Sequence, residues 1–135
     1  MLVDEIDGTW GYMIGMPVFS SLVALMRGGQ VVASVIVDPI GRRIYTAEHG
    51  KGAFCNKGPI HVHKVLPKTP CVAIVTWPKR NLNDMLVANM QNGPGGGVAG
   101  ALHDKGWAVI NAPTIGYMDA LVASGQIAGT IFPGP

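Results

Sequence analysis

Charge is scarce in this chain. Asp, Glu, Lys and Arg make up 13% of its 135 residues, about half the usual share of roughly 25%. The formal net charge is +2, far below the basic footprint that nucleic-acid binding requires, so no nucleic-acid partner is expected. Cysteine is scarcer still, with only Cys55 and Cys71. No charged n-region, apolar core and small-residue cleavage site marks an export signal. Both thiols are therefore expected free in a reducing cytoplasm. Residues 8–26 carry no charge, which on length alone suggests a membrane span. Gly8, Gly11, Gly15, Pro17, Thr9, Ser20 and Ser21 interrupt that run, so a loop followed by a buried strand is expected, with no membrane partner. No internal repeat and no serine or cysteine triad is visible.

What the chain does have is apolar content and turn residues. Hydrophobic residues reach 48%, and 19 glycines with 10 prolines fill about a fifth of the length. Low hydrophobicity and high net charge, the marks of disorder, are both missing. The length corresponds to one domain. Three of the eight acids, Asp4, Glu5 and Asp7, fall together near the start. Most of the bases lie between Arg42 and Arg80, and they read as a solvated face.

Met1–Val3 is a short apolar lead into Asp4 that reads as the end of a strand. Val18–Met26 is nearly all apolar, as expected of a strand buried on both faces. Gly28-Gly29 separates it from Gln30–Val37, rich in Val and Ile, which predicts a hairpin. Asp38-Pro39 with Gly41 predicts a further turn, and Arg43–Ala47 alternates as a half-exposed strand does. Short strands are expected near Ala53–Cys55 and Ile60–Val62, so the first half reads as an antiparallel meander. In the second half, Cys71–Trp77, Trp107–Asn111 and Ile127–Phe132 read as strands. Asn81–Gln91 and Ile115–Ser124 read as helices, the latter capped by Gly125. Asn92–Gly100 reads as a glycine-rich loop. This order indicates an α+β or layered α/β protein.

The sharpest local feature is Asp4-Glu5-Ile6-Asp7-Gly8-Thr9. Alternate residues of an extended segment share a side, and a kink after Asp7 brings the Asp4 and Asp7 carboxylates and the Ile6 carbonyl around one centre. Hard oxygen donors of this kind suit Mg²⁺. Gly8 and Thr9 then open a helical turn whose backbone N–H groups receive a phosphate, and the Thr9 hydroxyl orients a water. Three acids in a loop are also commonly just solvated. Weaker signals are Gly95–Gly100, which fits GxGxxG but follows a helix rather than a strand, and His61-Val62-His63 between the two cysteines. Their spacing matches no common zinc pattern.

The Asp4–Thr9 segment, followed by Gly15-Met16-Pro17, resembles the signature of the inositol monophosphatase family. The resemblance continues through Val37-Asp38-Pro39, Ala47–Phe54, Asn56–Ile60 and Met118–Gly125, so it spans most of the chain in order. It implies a layered α-β-α-β-α sandwich of the sugar phosphatase type and Mg²⁺-dependent hydrolysis of a small phosphomonoester, an inositol phosphate or a related sugar or alcohol phosphate. It further implies Asp4, Ile6 and Asp7 as metal ligands, Thr9 and Asp7 as catalytic residues, and Gly8, Thr9 and Gly116 beside the phosphate or substrate.

The sequence also departs from that pattern. Glu5 stands where Pro is usual, Trp10-Gly11 where a small polar residue and Asn are common, and Ile14 where His is frequent. Thr114-Ile115-Gly116 replaces the Gly-Ser-Ala that approaches the alcohol portion of the substrate. Family members are roughly twice as long. The expectation is therefore a single domain over 1–135, the central part of such an enzyme, lacking its N-terminal helices and its C-terminal Trp-Asp segment. The rival expectation is a non-catalytic fragment or protein-interaction module that keeps the central sheet. Exposed strand edges in either case lead us to expect self-association, as a homodimer for example.

Overall fold

The computed structural model describes residues 1–75 and 97–132. Six strands form one sheet in chain order: β1 (Leu2–Asp7), β2 (Ser20–Arg27), β3 (Gln30–Asp38), β4 (Arg43–Glu48), β5 (Gly52–Cys55) and β6 (Gly58–Ile60). Every neighbouring pair is antiparallel. The expected meander is therefore present, and its turns follow from local chemistry. Gly28 and Gly29 both have positive φ, 57° and 79°, and Arg27 pairs with Gln30 across them. That is the two-residue primed turn whose twist matches the flanking strands. After β3, the Asp38 Oδ1 accepts a 2.8 Å hydrogen bond from the Gly41 N–H, a side-chain-to-backbone bond that closes the turn where the chain reverses.

The second half builds a small parallel sheet from β7 (Cys71–Val75), β8 (Ala108–Ala112) and β9 (Gly129–Ile131). Their order in the sheet is β8-β7-β9. Val72, Ala73, Ile74 and Val75 on the central strand are all buried, as a parallel strand covered on both faces requires. Three helices complete the described structure: α1 (Thr9–Met13), α2 (Gly97–Asp104) and α3 (Ile115–Ala123). Helix α3 touches β2 and β3 of the large sheet and β9 of the small one, so it forms a layer between them. A helix in that position is apolar nearly all round. Its one charge, Asp119, is exposed and accepts a 2.6 Å hydrogen bond from the Thr130 hydroxyl, tying α3 to β9. Met118 joins Ala73, Val75, Ala112 and Ile127 in the core. At its far end, Gly125 N–H bonds to Val122 O and Gln126 N–H to Leu121 O, a Schellman closure with Gly125 at φ 69°.

Two expectations need correction. β2 is not buried on both faces: Ser20 is buried, while Leu25 and Met26 are exposed, because an antiparallel sheet can leave one face to solvent. The glycine-rich loop expected up to Gly100 ends earlier, since α2 begins at Gly97 and buries Ala99 and Gly100. The helix expected over 81–91, residues 76–77 of the expected strand, and the first part of the GxGxxG stretch lie outside the described residues. Among the described residues no helix is long and apolar enough to cross a membrane.

Candidate active site

The pairing of β1 with β2 contains an irregularity. Asp4 pairs with Leu22 and Asp7 with Ser20, so β1 uses one residue more than β2 between those points. In a regular strand, residues three apart point to opposite faces; one extra residue in a bulge reverses that parity. Ser21 Oγ holds the bulge by donating 2.7 Å to the Glu5 carbonyl. Asp4 and Asp7 consequently line the same cavity, of about 290 Å³, together with Ile6, Gly8 and Thr9. The kink expected after Asp7 is thus preceded by a bulge that does the aligning.

Gly8 makes the second turn. It adopts φ 85° and ψ 32° as the N-terminal flanking residue of α1. A Cβ there would strain the left-handed backbone and meet Thr114 Cβ at 3.0 Å. Helix α1 sits equally close at Gly11, where a Cβ would lie 2.9 Å from Pro113 Cγ. The Thr9 hydroxyl donates 2.7 Å to the Ile6 carbonyl, so Ile6, Gly8 and Thr9 form one locally closed unit.

Asp7 is buried at 6% exposure, and its Oδ2 is the focus of three donors. They are Ser20 Oγ at 3.0 Å, the Gly116 backbone N–H at 2.8 Å, and the Thr114 hydroxyl. Ser20 and Thr114 are themselves fully buried. Hydrogen bonds to a charged acceptor are stronger than neutral ones, and they let a carboxylate persist inside the fold. Sequence reasoning missed Ser20 and this role of Thr114. The available signal was two hydroxyls within otherwise apolar surroundings. Gly116, expected beside the substrate, has its N–H on Asp7, and a Cβ there would come 3.1 Å from Asp7 Oδ2. It lines a neighbouring groove with Leu22 and Asp119.

Behind α3, Asp38 is buried at 4% exposure, with Oδ2 3.8 Å from Arg43 Nε. Arg43 Nη1 reaches Tyr45 Oη at 3.4 Å, and this contact raises the guanidinium above its ordinary value. Burial, then the Asp38 charge, raises the Tyr117 hydroxyl above the usual tyrosine range. These groups link the β3–β4 turn to the helix that supports Asp7. Cys55 and Cys71 are free thiols, both partly buried.

A model of the inositol monophosphatase family matches residues 1–132. Over 55 residues the chain is 47% identical to the inositol-1-monophosphatase of Mesorhizobium japonicum, covering 41% of this chain and 21% of that one. It is 36% identical over 61 residues to Nus factor SuhB of Xylella fastidiosa, covering 45% and 22% respectively. The crystal structure of extragenic suppressor protein suhB from Bartonella henselae superposes with a TM-score of 0.71 at 28% identity, over 93% of this chain and 46% of that one. The chain therefore spans about half of that solved structure, and the matched stretches cover about a fifth of each of the two curated relatives.

Proposed function

The chain belongs to the inositol monophosphatase family, and on that premise we propose that it hydrolyses a small phosphomonoester with Mg²⁺ at the cavity of Asp4, Ile6, Asp7, Gly8 and Thr9. One observation carries this reading: the β1 bulge and the left-handed Gly8 bring all five residues to the wall of a single cavity. Two carboxylates and a carbonyl are hard donors, and Mg²⁺ takes few protein ligands while keeping waters and substrate oxygens. Asp4, Asp7 and the Ile6 carbonyl would hold it. When bound, the ion would lower the pKa of a water and offset charge on the phosphoryl oxygens.

The chain's own groups supply the rest. Three donors on Oδ2 of Asp7 fix the plane of the carboxylate, and its Oδ1 would be left to hold the ion. The Thr9 hydroxyl proton is committed to Ile6, so its lone pairs accept from a water and orient it. The N–H groups of Gly8 and Thr9 receive the phosphoryl oxygens. The water oxygen bonds to phosphorus as the P–O bond to the alcohol breaks. The alcohol leaves with one water proton and inorganic phosphate keeps the other.

The test is phosphate release by the purified chain with and without Mg²⁺. Turnover should require Mg²⁺ and fall at least about a hundredfold in Asp7→Asn. Release that ignores Mg²⁺, or survives that substitution, overturns the reading. A second reading is favoured by the donor count: among the described residues no three Asp, Glu, His or Cys side chains gather to hold an ion, and one relative bears the name of a Nus factor rather than a phosphatase. On that reading the chain is a non-catalytic interaction module. A folded sample without turnover selects it.

A further inference from the structure

The lining of the cavity combines two kinds of residue of opposite character. Besides the acidic residues, its wall is made by Trp10, Met13, Val75, Pro113 and Ile115, residues drawn from α1, β7, the β8–α3 connection and the first position of α3. Trp10 and Met13 are three apart on α1, so their side chains lie on one face. They are 48% and 70% exposed, an apolar surface continuous with a polar pocket. Exposed apolar patches of this kind mark ligand-binding grooves. Among the described residues, the side chains of this wall offer one strong hydrogen-bonding group, the Trp10 indole N–H. A polyol placed against them would leave several hydroxyls without partners, and each such group costs binding.

Resting on the phosphatase reading above, we propose that the ester taken by this site carries an aromatic ring on its alcohol side. The ring stacks on Trp10, contacts Met13, and is backed by Ile115 and Pro113. Size agrees with this. A cavity of about 150 Å³ holds a benzene ring, and about 290 Å³ is available here, which leaves room for one phosphoryl group. A flat ring gains from offset or edge contact with the indole beyond simple burial. Trp10 and Ile115 are thereby specificity-determining residues, at positions where the sequence departs from the family pattern.

Calorimetric titration of the full chain in Mg²⁺ tests this with three probes: benzylphosphonate, 3,4-dihydroxybutylphosphonate and inorganic phosphate. Neither phosphonate can be hydrolysed at its P–C bond, so binding is read without turnover. The aromatic phosphonate should bind on the order of tenfold tighter than the polyol one. Trp10→Ala should bring that ratio close to one, and Trp10→Phe should restore most of it. The wild-type ratio decides the matter even if a variant fails to fold. A ratio at or below one, or a ratio unchanged in folded Trp10→Ala, overturns the inference. Phosphate bound with equal affinity for both phosphonates removes this inference alone. Phosphate that does not bind at all removes the phosphatase reading and this inference with it.

Discussion

Asp7 shows how much one carboxylate can depend on residues far away in the chain. Two of its three Oδ2 donors, Thr114 and Gly116, lie 107 and 109 positions away. Replacing Thr114 by Val keeps the shape and removes the hydroxyl. A lost hydrogen bond to a charged group costs about 1.5–3 kcal/mol, so Thr114→Val should lower urea stability by that amount. Thr114→Ser, which retains the hydroxyl, should recover most of it. If Thr114→Val is as stable as the parent while Thr114→Ser is not, the methyl packing matters and the bond to Asp7 does not. The motif around Asp7 was legible in the sequence because Gly8 and Thr9 act on their immediate neighbours. The donors were not, because no local pattern links position 7 to position 114.

Among the elements, the hairpins were the most legible part of the fold. Gly28-Gly29 specifies its turn because glycine enters positive φ without steric cost. The β5–β6 turn is less well served: Asn56 and Lys57 both have positive φ, 46° and 72°. Asn56 is suited to this, and its side chain accepts 2.9 Å from Ile44 N–H and donates 3.1 Å to Arg42 O. Lys57 carries a Cβ in a conformation that costs an L-residue roughly 1–2 kcal/mol. Lys57→Gly should therefore raise the melting temperature, stabilising the fold by up to about 1 kcal/mol once the added freedom of the unfolded glycine is set against it. A lower melting temperature would show that the Lys57 side chain contributes contacts of its own. The β1 bulge was the least legible element. A bulge is a mismatch between two strands, and neither strand displays it alone.

The whole molecule exposes apolar surface at defined places. Leu2 and Val3 sit on β1, an edge of the large sheet among the described residues, and Trp10 and Met13 lie on α1 with Ile14 directly after it; all five are about half exposed or more. Unpaired edges and contiguous apolar patches favour association between copies. Light scattering on the purified chain should therefore find a dimer or larger species, with the larger species growing as concentration rises. A monodisperse monomer across that range would refute this expectation.

The sequence by itself determined the turns, the strand alternation of the first half, the helix at Ile115 and the acidic motif with its glycine. All of these are set by steric and hydrogen-bonding preferences acting over a few residues. The tertiary structure alone decided which way Asp4 faces relative to Asp7, which hydroxyls hold Asp7, and how Val75, Pro113 and Ile115 come to line one cavity with Trp10. Those outcomes depend on strand pairing and on burial of α3 between two sheets, contacts between segments that share no local spacing.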